Sequence, residues 1–241
     1  ALLALNVSKE VLNSFFEVNL GIVSTTEGLQ EKSNSTYAAL EGFNNKIKSA
    51  PYINLTNKIK PKTKSLTVYI QNMKYDLVSE ADGGEVYLEF YEDGNDDENV
   101  KFLHVNKKFE EIDPTKKIAY LSAKDNRDAS GRLFNPDNKR KLFNVDGKGR
   151  STILKESINE YREFLLDILR QAEKDGLIMP GSSSILIEDI NKTLAIKEGI
   201  EYGEKGNKRT WEYHNFYDMP AVGALTLLSK WQADIRNMEA D

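Results

Sequence analysis

The chain has 241 residues, with 33 Lys and Arg against 38 Asp and Glu and a formal net charge of -5. That balance argues against a dedicated nucleic-acid binder. The absence of cysteine removes disulfide frameworks, thiolate catalysis and cysteine-ligated metals. The length suffices for a large core, in one elongated domain or two small ones, and no stretch within it approaches ~18 consecutive apolar residues, so it holds no complete membrane span.

Residues 1–47 organise everything after them. Val11, Phe15, Val18, Ile22, Thr25, Leu29, Ser33, Thr36, Leu40, Phe43 and Ile47 are spaced four or three apart throughout. This is the repeat of a helix packed along one seam. At ~1.5 Å per residue it predicts a rod of about 70 Å. Leu12, Phe16, Leu20 and Val23 widen the apolar face of the first half, as a bundle helix requires. The second half is weaker, with small polar seam residues and with Gly28 and Gly42, each costing ~1 kcal/mol against Ala in a helix interior. The seam serves either an intramolecular bundle or a parallel homodimer, and different portions can serve each. Ahead of it, Ala1, Leu2, Leu3, Ala4 and Leu5 are apolar all round. Residues 1–6 therefore read as the last turn of a membrane helix whose body lies before Ala1.

Ser49-Ala50-Pro51 is expected to break the rod, since Pro cannot continue a helix. A second helix is predicted from Asn54 or after Pro61 to about Glu80, on the period of Leu66, Tyr69, Ile70, Met73, Leu77 and Val78. It should return antiparallel along the rod. Gly83-Gly84 ends it and the period changes to two. Glu85–Glu92 and Val100–Val105 predict a β-hairpin around an acidic turn, within an insertion over 83–111. The turn does not make a calcium loop: Glu98 stands where Gly is needed and His104 where a closing Glu should be.

Asp125–Phe134 reads as an Ω-type loop with internal ion pairs. Gly147–Thr152 superficially resembles a phosphate loop but lacks its first Gly and its Lys, so Ser151 or Thr152 is expected to cap the next helix. That helix carries Leu154, Ile158, Tyr161, Leu165, Ile168 and Ala172 and stops at Gly176. A short helix over 185–194 and a glycine-studded loop over 198–208 follow. Trp211, Tyr213, Phe216 and Tyr217 form an aromatic knot, and Pro220 starts a closing helix through Val222, Leu225, Leu228, Trp231, Ile235 and Met238. Tyr161, Leu165, Trp211 and Trp231 are the expected core anchors. With His104 and His214 as the sole histidines and no cysteine, no zinc site or cysteine–histidine pair can be built. No catalytic residue, metal or cofactor is assigned, and no enzymatic activity is expected.

Three stretches, LALNVSKEVLNSFFEVN, GRSTILKESINEYREFLLDIL and YHNFYDMPAVGALTLLSKWQADIRNMEAD, together resemble the GldM/PorM proteins. These are periplasmic-shaft components of the gliding-motility and type IX secretion machinery of Bacteroidetes. Residues 83–111 have no counterpart in that resemblance. It implies that residues 1–241 form the first, helical periplasmic domain of a protein anchored in the inner membrane by one span before Ala1, with β-rich domains to follow. It implies a shaft driven by proton-motive force, a homodimer whose spans sit in a GldL/PorL-type ring, and outer-membrane-associated components contacted by later domains. The membrane-proximal and dimer contacts would be Leu2, Leu3, Leu5, Val7, Val11, Phe15, Val18 and Ile22. The fold expected is mainly α, an elongated helical bundle on a long N-terminal helix with a small β-hairpin insertion. The rival reading is a ligand-binding sensory ectodomain of a single-span membrane protein, for which the Trp211–Tyr217 knot is the candidate pocket.

Overall fold

The fold comes from a computed structural model that describes residues 8–83, 87–88, 117–135, 144–145, 148–202 and 206–241. It is mainly α. Helix α1 (Lys9–Gly42) and helix α2 (Lys46–Ala81) form an antiparallel hairpin, each about 50 Å long at ~1.5 Å per residue. Ser8 opens α1, its hydroxyl accepting from the Val11 amide at 3.4 Å.

The chain turns at Phe43–Asn45, six residues before the predicted break. Phe43 is extended, and the Asn45 side chain caps α2 by accepting from the Lys48 amide at 3.1 Å. An Asn side chain competes with helical hydrogen bonding at this point and then starts a new helix. Pro51, expected to lie before α2, is inside it, and so is Pro61, one of the two predicted starting points being after it. Each removes one backbone donor. Both prolines are exposed, as are Ile47 and Asn57, whose carbonyls lose those partners, so water can take the donors' place.

Strand β1 (Tyr87–Leu88) pairs antiparallel with β2 (Ile118–Tyr120). Val100–Val105, the predicted partner, and the acidic turn with His104 lie outside the described residues. Asp125–Phe134 holds a helix instead of an Ω-loop: α3 (Arg127–Phe134), capped by Asn126 accepting from the Ala129 amide at 3.0 Å. Its arginines pair outward, Arg127 with Asp218 at 3.2 Å and Arg132 with Glu80 at 2.9 Å. This frees the other face to bury Ala129, Leu133 and Phe134.

Strands β3 (Asn144–Val145) and β4 (Lys148–Gly149) pair ahead of α4 (Arg150–Lys174). Gly149 holds the cap position of α4, without a side-chain bond. Ser151 donates to the Phe134 carbonyl and Thr152 to Glu212, so neither performs the capping role predicted for it. Gly176 ends α4 at φ 70°, and the Leu177 amide reaches back to the Ala172 carbonyl at 2.9 Å. Helix α5 (Ser183–Thr193) follows. The expected glycine-studded loop contains a hairpin of β5 (Ile200–Tyr202) and β6 (Asn207–Arg209). Helices α6 (Trp211–Phe216) and α7 (Ala221–Ala240) close the chain.

Helix α7 is wedged between the arms of the α1–α2 hairpin, and α4 packs against α2. Thr226 meets Phe15, Ser229 meets Asn19 and Glu239 meets Tyr37, so α7 runs parallel to α1. Gln232 meets Lys74 and Arg236 meets Thr67, so it runs antiparallel to α2. The core joins Ile70, Met73, Leu77, Leu154, Ile158, Leu225 and Ile235, all essentially inaccessible to solvent. Each such side chain contributes roughly 1.5–3 kcal/mol by burial.

Candidate functional site: the α1 rod and its two faces

Over the first half of α1 the inward stripe is rotated by one residue from the predicted seam: Leu12, Phe16 and Asn19 are buried, while Val11, Phe15 and Val18 are 45%, 47% and 54% exposed and Ile22 is half-buried. Further along, the seam residue Ser33 is buried as predicted, and so is Tyr37, one residue past the seam residue Thr36. The residues expected only to widen the face carry the packing onto α7. Val11, Phe15 and Val18 of the predicted stripe form an outward apolar face beside it. Leu2, Leu3, Leu5 and Val7 lie outside the described residues.

The rod is fastened to α7 along its length. At its N-terminal end the contact is apolar, through Leu12, Phe16 and the half-buried Leu20. In the middle, the Ser229 hydroxyl donates to buried Asn19 Oδ1 at 2.7 Å. Further along, the Tyr37 hydroxyl donates to Glu239 at 3.0 Å, and the other oxygen of Glu239 takes Arg236 at 2.6 Å. Arg236 also donates to Thr67 Oγ1 at 3.3 Å, so one pin ties α1, α7 and α2 together. Burial, and after it the Glu239 carboxylate, holds the Tyr37 phenol above its ordinary range. A fully bonded buried network of this kind fixes one geometry. The last pair, Lys32 with Asp241 at 3.1 Å, is exposed and adds little.

The core anchors lie together behind the rod. Tyr161, Leu165, Trp211 and Trp231 are all buried in one cluster. Trp211 meets Trp231 edge-on at 6.1 Å and Phe216 at 5.8 Å, and Phe216 meets Phe134 at 4.7 Å. Tyr161 and Thr63 share a hydroxyl–hydroxyl bond of 2.7 Å. Of the aromatic knot, Trp211 and Phe216 are therefore core, while Tyr213 is half-buried and Tyr217 is exposed. The gap beside it, among Gly131, Phe134, Glu212 and Tyr217, has no room for a water molecule. His214 is exposed. Among the described residues no group of three or more His, Asp and Glu is placed to hold a metal ion.

Sequence reasoning missed Lys74. It is 3% exposed, and its ammonium donates to Gln232 Oε1 at 2.9 Å at the floor of a trough between α1 and α2. Burial brings its pKa down to about 7. The period of α2 places Lys74 beside Met73 and Leu77, but nothing local marks a lysine as buried.

A family model described as the GldM N-terminal domain matches residues 10–113 and 104–241. The chain belongs to that family. The two matches together take in α1 through α7, and the first extends across 83–111. No curated protein matches the chain. GldM membership places the chain among the proteins of gliding motility and type IX secretion. No helix among the described residues of this GldM domain is long and apolar enough to cross a membrane.

Proposed function

We propose that this GldM domain is a mechanical element: a stiff periplasmic shaft segment of an inner-membrane-anchored motor driven by proton-motive force, which passes movement to the secretion and gliding machinery. The observation that carries the reading is α1 itself. It is a helix of 34 residues, clamped to α7 by apolar packing at one end and a buried polar pin further along, with an apolar face left open near its start. A helix clamped in this way passes force with little bending. The open face, Val11, Phe15 and Val18, suits a second copy of the chain. Its N-terminal position would bring the two copies together near the membrane, below a GldL/PorL-type ring, with outer-membrane-associated components contacted by other parts of the protein. No catalytic role is proposed.

The test is a kink. Glu17 is exposed on α1, and Pro there costs ~3 kcal/mol or more of local helix and breaks a backbone bond. Glu17→Pro in the full-length protein should abolish secretion and gliding while tryptophan fluorescence reports an intact aromatic core. A tolerated proline refutes the shaft. Single cysteines at Val11, Phe15 and Val18 should cross-link two copies in cells, and uniform absence of cross-links removes the dimer from the proposal.

A further inference from the structure

Between α1 and α2, floored by α7, lies a trough of about 820 Å³. Most of the residues lining it carry amides, hydroxyls or charges, with Val23, Val68 and Ile118 among them. Asn19, Thr26, Gln30 and Asn34 face it from α1, and Thr67 and Gln71 from α2. Charge is unevenly distributed within it. Of the carboxylates, Glu27 is taken by Lys117 at 2.7 Å and Glu239 by Arg236 at 2.6 Å. That leaves Lys60 and Lys64 at the trough against Glu31, with Lys74 joining them as a third cation whenever it is protonated, in a chain of net charge -5.

Lys74 is the deepest of these. Among the described residues its one bond is to Gln232 Oε1, and that amide is committed on its other side, donating to the Thr67 carbonyl at 2.9 Å and to Gln71 at 3.1 Å. An ammonium has three donors, so two remain for an incoming acceptor. Burying an ammonium against a neutral amide is costly unless a counter-charge joins it.

We infer that the trough binds an extended polypeptide segment that delivers a carboxylate to the Lys74 ammonium. From Asn19 to Asn34, α1 spans about 22 Å, which matches about seven residues of extended chain at ~3.3 Å each. Asn19, Thr26, Thr67 and Gln71 are bonded within the fold, so the amides facing a peptide backbone are those of Gln30 and Asn34, while Lys60 and Lys64 line the trough for further acidic side chains. Binding also takes up a proton. At pH 8 Lys74 in the empty trough is largely neutral, and a carboxylate beside it restores its charge. The other titratable groups facing the trough are Glu27 and Glu31 on α1, Lys60 and Lys64 on α2, Lys117 before β2, and Arg236 and Glu239 on α7.

The test is calorimetric titration of the chain with octaglutamate, octaglutamine, free glutarate and inorganic phosphate, at pH 8 in HEPES and in Tris. Octaglutamate should bind at least tenfold tighter than octaglutamine, with net proton uptake read from the difference between buffers. Lys74→Met should weaken it at least tenfold and abolish the proton uptake. Lys64→Gln, at an exposed position that leaves the fold alone, should weaken it a few-fold with proton uptake intact. Octaglutamate binding that is absent, or unchanged in both variants, overturns the inference. Glutarate or phosphate binding as tightly as the peptide overturns its polypeptide half.

Discussion

Lys74 gives the sharpest test of the packing. Its pKa falls from an ordinary 10.5 to about 7 because it is buried. The unfolded chain therefore holds a proton that the native state gives up between those values, so stability rises with pH across that window. The shift corresponds to at most about 5 kcal/mol at ~1.4 kcal/mol per pH unit, present in full as a penalty below about pH 7 and gone above about pH 10.5. Lys74→Met removes the titration. The stability of Lys74→Met relative to wild type should therefore fall by about 3 kcal/mol between pH 7 and pH 9.5. For a chain of this size that is a change of roughly 6–12 °C in the melting-temperature difference, read by circular dichroism at each pH. Loss of the Gln232 bond shifts the whole curve but does not change its slope. The buried tyrosines, with phenols above their ordinary range, pull stability down only above about pH 10, outside the window. A difference that stays constant from pH 7 to 9.5 would refute the burial of Lys74 as an unpaired ammonium.

Three more outcomes follow from the packing. Leu165→Ala and Trp231→Ala should each lower stability by roughly 2–5 kcal/mol in denaturant titrations, because both side chains are buried in the shared core; wild-type midpoints for both would mean the helices are misplaced. Gly28→Ala should raise the melting temperature, by up to about 1 kcal/mol of stability, since the new methyl meets open space on α1; a loss would mean this face is covered. Ser229→Ala leaves buried Asn19 Oδ1 without its donor and should cost about 1–3 kcal/mol, with hydrogen exchange rising first in α1.

The helices after residue 150 were the most legible. Leu154, Ile158, Tyr161 and Leu165 admit one inward face, Gly176 can end a helix with positive φ at little cost, and Pro220 suits a helix start. The turn at Phe43–Asn45 was written in Gly42 and two asparagines but was outranked by the prolines, whose lost donors matter less where water replaces them. The shaft stripe could be read only to within one residue. Val11, Phe15 and Val18 repeat every four and three, and so do Leu12, Phe16 and Asn19. Periodicity sets the pitch of an apolar band, but two neighbouring stripes differ by ~100° of rotation and share that pitch.

The amino-acid sequence by itself determined that the molecule is mainly helical, that α1 is long, which side chains anchor the core, and that no cysteine chemistry is available. Those depend on local spacing and composition. Which stripe of α1 turns inward was decided by α7, because Ser229 reaches Asn19 across 210 positions of chain and draws a polar residue into the contact. The same holds for the trough. Lys74 meets Gln232 at a separation of 158 residues, and the cost of burying its charge exists only where α1, α2 and α7 come together.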